Sequence, residues 1–226
     1  MIKKGYLYLM KKAGKSYEID PLIPSGLLFQ VLFTRGIMLL RGLLLVRKKV
    51  FVGANCTFLN KSNIDFGDNV TINKHTTIDG YASQKIILGD GVKIGAFSLV
   101  TSTSHMSSYG KGLKMGKNTA IGDFAHFGAS GGIEIGDDVI MGSYISFHSQ
   151  NHTFDDPTRL IREQGVTSKG IKMGNNIWVG AKATFLDGCV VGNNCVVAAG
   201  AVVKDVFPDN VVIGGVPAKI IKTIDS

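Results

Sequence analysis

The chain is poor in the residues on which several protein classes depend. Five prolines and no Gly-X-Y period exclude a collagen-like chain. The three cysteines, Cys56, Cys189 and Cys195, form no CxxC pair, and a reducing cytoplasm is the expected compartment. There is no helix-turn-helix or zinc-finger spacing and no interleaving of basic with aromatic residues. Nucleic acid is therefore not an expected partner, although the formal net charge is +8 and the pI is near 9.4. The apolar segment near the N-terminus begins about twenty residues in and lacks a small-residue cleavage site, so no cleavable signal peptide is expected. What is plentiful is glycine, at 29 of 226 residues, nearly twice the usual ~7%. With so few prolines, this glycine is assigned to regular turns. A hydrophobic content of 45% excludes disorder and supplies a sizeable core.

Residues 22–46 read LIPSGLLFQVLFTRGIMLLRGLLLV, followed by Arg47, Lys48 and Lys49. Arg35 and Arg41 interrupt the run and leave an uncharged stretch of only about fourteen residues, short for a transmembrane span. On a helical wheel Gln30, Thr34, Arg41 and Lys48 fall in one stripe, which predicts an amphipathic helix with a wide apolar face. Such a helix either packs against the rest of the protein or between subunits, or lies in the headgroup region of an anionic membrane through residues 22–48.

From residue 52 apolar residues recur every six positions. Repeat starts fall at 52 and 58; 66, 72 and 78; 88, 94 and 100; 115, 121 and 127; 135, 141 and 147; 173, 179 and 185; and 191, 197 and 203. All these positions are apolar, and twelve of them are followed by glycine, although glycine played no part in choosing the register. A hexapeptide period of this kind indicates a parallel β-helix. The fifth residue of each unit is mostly small or β-branched, as at Ser98, Thr119, Ala125 and Ala183. One large and one small inward residue per strand fill a narrow prism. All three cysteines occupy this fifth position and read as small buried hydrophobes.

The register also locates the interruptions. Every extra residue falls after the third unit of a coil, so the insertions stack at one corner, and the two long ones cover about 101–114 and 148–172. Excursions from one edge of a rigid scaffold commonly carry function. His105 and His152 each follow a third unit by five residues, two coils apart, which predicts a shared corner and a separation of roughly 10 Å. Three regions result: a basic, apolar helical segment at 1–48, a β-helix at 49–205, and a C-terminal tail at 206–226.

The repeats, the unit Asn175-Asn176-Ile177-Trp178-Val179-Gly180 and the ending Gly214-Gly215-Val216-Pro217-Ala218-Lys219 resemble hexapeptide-repeat acyltransferases. The resemblance covers about residues 52–222. It implies an all-β, left-handed parallel β-helix, a homotrimer with active sites at subunit interfaces, and acetyl-CoA as acyl donor without a metal. FGASGGIEIGDDVIMG, SQNH, IREQG and VPAK are most similar to O-acetyltransferases of surface polysaccharides.

Carried onto this chain, the resemblance implies His152, in the Asn151-His152 dipeptide, as the general base that takes a proton from the acceptor hydroxyl. An imidazole with an ordinary pKa near 6.5 suits that task. Transfer is then direct, with no acyl-enzyme. Glu163, in Arg162-Glu163-Gln164-Gly165, is the first choice to orient the imidazole, and Asp155, Gln164 and His105 are assigned to the acceptor. A backbone N–H at Gly180-Ala181 is assigned to the tetrahedral oxyanion. Ala199 leaves room for the pantetheine arm, Lys204, Lys219 and Lys222 are assigned to the CoA phosphates, and Trp178 points outward to the cofactor groove or a subunit interface. His148, His126 and His75 read as supporting or surface residues.

Three other readings are compatible with the residues. An amino-sugar nucleotide as acceptor would make the enzyme an N-acetyltransferase. His148 and His152 with His105 or His126 would supply an interfacial zinc site of the carbonic anhydrase-like kind. A β-helix without catalysis would serve as an assembly scaffold. The expected location is cytoplasmic, at the inner face of the membrane if the N-terminal helix binds lipid.

Overall fold

The computed structural model describes residues 3, 5–7 and 18–224. The remaining residues before 18, which fall in the 1–48 segment, and the last two of the chain lie outside the described residues. Residues 3 and 5–7 are helical, and the chain described from residue 18 onward has one α-helix, α1 (Ser25–Leu45). It ends three residues before Lys48, so the polar stripe on α1 is Gln30, Thr34 and Arg41; Lys48 instead donates to the Phe66 carbonyl at 2.9 Å. Gly42 lets α1 cross close to the first coil, since a Cβ there would lie 1.9 Å from the Val50 carbonyl oxygen. Arg35 lies over the Phe51 ring, 3.6 Å from its centroid. Leu28, Met38 and Gly42 are the buried residues of α1, while Phe29, Phe33, Leu40 and Leu44 are exposed.

Beyond α1 the chain winds through short strands in three sheets, parallel except for the last strand of the first, with nine strands in the first and seven in each of the others. Each coil contributes one strand to each sheet, as with Ile140–Met141, Ser146–His148 and Ile171–Met173. All eighteen register positions from Phe66 to Val203 are buried, and Phe127, Phe147 and Phe185 stack with centroids 5.0 and 4.9 Å apart. The fifth positions form a second inward column. Where they are polar they bond the neighbouring coil: Thr76 Oγ1 donates to the Gly95 carbonyl at 3.0 Å, and Thr119 Oγ1 to that of Gly136 at 2.7 Å. Cys189 and Cys195 are buried there and Cys56 is half-buried. Glycine after a repeat start answers to close approach between coils, since a Cβ on Gly95 would stand 2.2 Å from Gly122 backbone atoms.

The insertions all leave after the second sheet and return to the third, at one corner. Past residue 205 the coil continues, which corrects the boundary expected from the repeat. Val206–Phe207 completes the third sheet, and Val211–Gly215 joins the first and is closed by the antiparallel strand Ala218–Thr223. The last turn is short because Phe207, four residues after Val203, fills the inward place.

Candidate active site

The longest insertion, residues 149–170, is an arm held at both ends. At its exit the buried Ser149 Oγ donates to the Gly128 carbonyl at 2.7 Å and accepts the Gly131 N–H at 2.9 Å. Asn151–His152 then pairs antiparallel with Val166–Thr167, His152 opposite Val166, so the arm begins as a two-stranded ribbon. At its return the buried Asp187 carboxylate accepts the Lys169 and Gly170 N–H groups at 3.1 and 2.7 Å and the Thr167 hydroxyl at 3.3 Å. Asp187 is a positioning residue that the repeat pattern does not reveal, because it stands two residues past an inward phenylalanine and bonds to chain brought back by an insertion.

His152 is exposed on this ribbon. His105 lies on the insertion that follows Leu99–Thr101, where its Nδ1 is 2.8 Å from Ser107 Oγ. The two insertions touch: Ser104 Oγ donates to Gln150 Oε1 at 2.9 Å, and Gln150 Nε2 donates to Ser168 Oγ at 3.2 Å. Both histidine-bearing loops are thus joined at one corner. The structure does not bring Glu163 to His152 by a hydrogen bond; Glu163 sits in a 3-10 turn, Ile161–Glu163, with its carbonyl accepting from Arg159.

Gln164 is occupied inside the arm. Its Oε1 accepts the Asp156 N–H at 3.0 Å, and its Nε2 donates to the Asp156 and Arg159 carbonyls at 2.8 and 3.0 Å. It folds the arm rather than facing an acceptor. Asp156 adds an Asx turn with Thr158, whose hydroxyl and N–H hold that carboxyl below its usual range. Asp155 is exposed beside it.

The corner between the first and second sheets has a different character. At the residue two past each repeat start, the backbone N–H points toward the next coil. Ala96 N–H is accepted by Asp123 Oδ1 at 2.7 Å and Asp123 N–H by Ser143 Oγ at 3.2 Å. The next two positions are Ala181 and Ala199, which have no side-chain acceptor. Ser143, Ala181 and Ala199 consequently present N–H groups without a partner among the described residues, as do Ala54 and Lys74 on the first coils. At the opposite corner Asp68, Lys117, Asp137, Asn175 and Asn193 are all capped by an Asp or Asn of the following coil. Gly180 N–H is taken by the Val197 carbonyl at 2.8 Å, so of Gly180 and Ala181 only the Ala181 N–H is open.

Trp178 is exposed on the first sheet, opposite Ile140 and Val196. Of the three C-terminal lysines, Lys204 and Lys222 are exposed, and Lys219 lies 3.5 Å from Asp205. Burial pushes the Cys189 thiol up to about 12 and raises Cys56 and Cys195, which disfavours the thiolate form at all three. Among the described residues no three His, Cys, Asp or Glu side chains converge as metal ligands would.

His126 and His148 stand diagonally on the second sheet, ring centroids 5.7 Å apart. Burial, then the nearby His148, holds His126 below the ordinary value of 6.5. Between the two values the unfolded chain binds more protons at this site. Its effect is therefore to lower stability as pH falls from the ordinary value through the folded one. Imidazole C–H resonances should show His126 titrating below the free value. His148→Ala should restore only the smaller part of the shift; full restoration would mean that burial is not the main cause.

Comparison with known proteins agrees with this architecture. Residues 170–205 match the bacterial transferase hexapeptide (six repeats) model. The chain is 28% identical to a probable acetyltransferase of Mycobacterium tuberculosis, over 75% of this chain and 53% of that protein. It is 27% identical to WbbJ of Escherichia coli, a putative lipopolysaccharide biosynthesis O-acetyl transferase, over 74% of this chain and 75% of that one. It is 30% identical to the galactoside O-acetyltransferase of the same organism, over 52% and 57%. The chain thus spans about half the length of the first and third relatives. A solved structure of AntD, an N-acyltransferase from Bacillus cereus in complex with dTDP and coenzyme A, aligns with a TM-score of 0.52 at 21% identity, over 79% of this chain and 83% of that one. The resemblance to hexapeptide-repeat acyltransferases drawn from the sequence holds, and the coil is a left-handed parallel β-helix. That hand is opposite to the right-handed crossover usual between parallel strands.

Proposed function

We infer that this protein is an acyl-CoA-dependent O-acetyltransferase acting on a hydroxyl of a sugar, as part of a surface polysaccharide or lipid-linked oligosaccharide. Two observations support the reading: an exposed His152 on an arm clamped by Ser149 and Asp187 at one corner, and the unpartnered amides of Ser143, Ala181 and Ala199 at another. Similarity to the galactoside O-acetyltransferase and to WbbJ, named as a putative O-acetyl transferase, supports oxygen as the acceptor atom.

In the reaction the imidazole of His152 takes the acceptor hydroxyl proton as the oxygen attacks the thioester carbonyl. The tetrahedral oxyanion accepts the Ala181 N–H, the C–S bond breaks, and the thiolate leaves with the proton from the imidazolium. The products are the acetyl ester and free CoA. The smooth column at Ala181 and Ala199 admits the pantetheine arm, and Lys204, Lys219 and Lys222 serve the CoA phosphates. The exposed apolar residues of the arm, Phe154, Leu160 and Ile161, together with Trp178 and Ile140, fit a homotrimer in which the arm of one subunit reaches the corner of the next. The test is incubation with acetyl-CoA and a panel of sugar acceptors, locating the acetyl group by mass spectrometry and NMR. Acetyl on oxygen supports the reading; acetyl on an amino group, or no transfer, refutes it.

The reaction is placed at the inner face of the cell membrane. The exposed Phe29, Phe33, Leu40 and Leu44 of α1, flanked by Arg47, Lys48 and Lys49, support insertion into an anionic interface. The protein should float with phosphatidylglycerol vesicles, and the variant F29D/F33D/L40D/L44D should stay in the dense fraction. Equal flotation of the two would refute the anchor.

A further inference from the structure

On the third sheet, where the coils resume after their insertions, a groove of about 240 Å³ opens. The register explains it. Leu113, Ile133 and Ile171 are paired across three successive coils, which aligns Lys111, Gly131 and Lys169 two residues earlier. The place of a side chain at Gly131 is filled by the Ser149 backbone, and Gly132 next to it has none, so the middle coil is bare between two lysines whose backbones are two strand spacings, about 10 Å, apart. The row beyond it reads Lys114, Glu134 and Lys172.

Charge in the groove is unbalanced. Lys85 is paired with Asp65 at 2.9 Å and Lys114 with Glu134 at 3.7 Å. Lys111, Lys169 and Lys172 have no carboxylate partner among the described residues. Their aim is set by packing as well as by register. The Lys111 stem lies across Gly132, where an added Cβ would meet it at 3.4 Å, and the Lys169 stem lies across Gly188, at 3.2 Å. Both glycines have positive φ, 93° and 85°, so side chains there would be strained as well as obstructive. Lys111 Nζ reaches the Ser168 carbonyl at 3.5 Å, on the returning limb of the arm.

The groove is smaller than a pocket for a whole drug-sized ligand, roughly 300–1,000 Å³. Its size and charge suit one anionic substituent of a larger molecule lying along the face, held by lysines acting as point charges. Lys169 is three residues from Val166, the partner of His152, so the backbones are separated by no more than about 11 Å. A group bound here lies within one or two sugar rings of the arm.

We propose that this groove is an anion subsite for the acceptor: Lys111 and Lys169, backed by Lys172, hold a phosphate or carboxylate borne by the saccharide. The assignment to the acceptor rests on the acyl-transfer reading above; the anion site itself does not. Titration calorimetry without acetyl-CoA, using inorganic pyrophosphate, tetragalacturonate and neutral maltotetraose, tests it. At least one anionic probe should bind the wild type, weaken with salt, and weaken about tenfold or more in K111A/K169A. In K111R/K169R its binding should be retained, and maltotetraose should not bind at all. Binding of pyrophosphate alone assigns a phosphate-bearing acceptor, and binding of tetragalacturonate alone a uronic acid glycan. If neither anion binds, or if K111A/K169A binds as well as the wild type, the subsite is refuted. A protein that binds the anion and transfers no acetyl group overturns the proposed function alone; one that transfers acetyl and binds no anion overturns the groove alone.

Discussion

His152→Ala should lower kcat for acetyl transfer by about 10²–10⁴-fold, the usual contribution of a positioned general base, with little change in the KM for acetyl-CoA. The imidazole is exposed and makes no side-chain hydrogen bond among the described residues, so its removal leaves no buried partner unsatisfied. Thermal stability should therefore be unchanged, which separates a chemical effect from a structural one. His148→Ala, four residues earlier and on the sheet rather than the arm, should retain activity within a few-fold. Steady-state kinetics on the three proteins with one acceptor decides the matter. Undiminished kcat in His152→Ala would remove His152 as the base, and an equal loss in His148→Ala would shift the role toward the His126–His148 pair.

Much of the fold was legible because a six-residue repeat constrains nearly everything inside the prism. A coil closes only if each strand contributes one large and one small inward residue, and that requirement is written at fixed spacing whatever lies between coils. The corner that carries the insertions was legible for the same reason: extra residues are free to occur only where they do not disturb the inward columns. His152 was reached through its dipeptide and its place at that corner.

The parts that were not legible depend on pairing between segments that the repeat does not relate. Asp187 serves Lys169 and Gly170, and Gln164 turns back on Asp156, through contacts made only once the arm is folded. Gly180 and Ala181 look equivalent in sequence, yet the sheet takes one N–H and leaves the other, because only residues within the ladder face a carbonyl of the next coil. The open amide column is an absence of acceptor side chains at Ala181 and Ala199, which matters only beside the capped column at the other corner. Lys111 and Lys169 are separated by both the arm and a full coil in sequence, and become neighbours across Gly131 through register alone.

Phe147→Ala should be the most damaging single substitution in the scaffold. The ring is fully buried and stacked on both sides, against Phe127 and Phe185, so truncation opens a cavity that neither neighbour is free to fill without leaving its own coil. Large-to-small changes of this kind cost about 3–5 kcal/mol. At about 2–4 °C per kcal/mol for a chain of this size, Tm should fall by about 6–20 °C. The exposed corner supplies the control. His75, Phe97, Phe124 and Tyr144 also stack, at 4.8, 5.1 and 4.9 Å, but each adopts a left-handed backbone near φ 60°, and Phe124 is 45% exposed. In Phe124→Gly the lost ring contacts are offset by relief of that strain, so its Tm should stay within a few degrees of the wild type. Because each coil touches only its neighbours, the Phe147 defect should also loosen the adjacent coils before distant ones. Hydrogen exchange should then speed first at Phe127–Gly128 and Phe185–Leu186, with Val52 and Ile213 still protected. Uniform acceleration along the whole coil would show instead that the prism unfolds as a single unit.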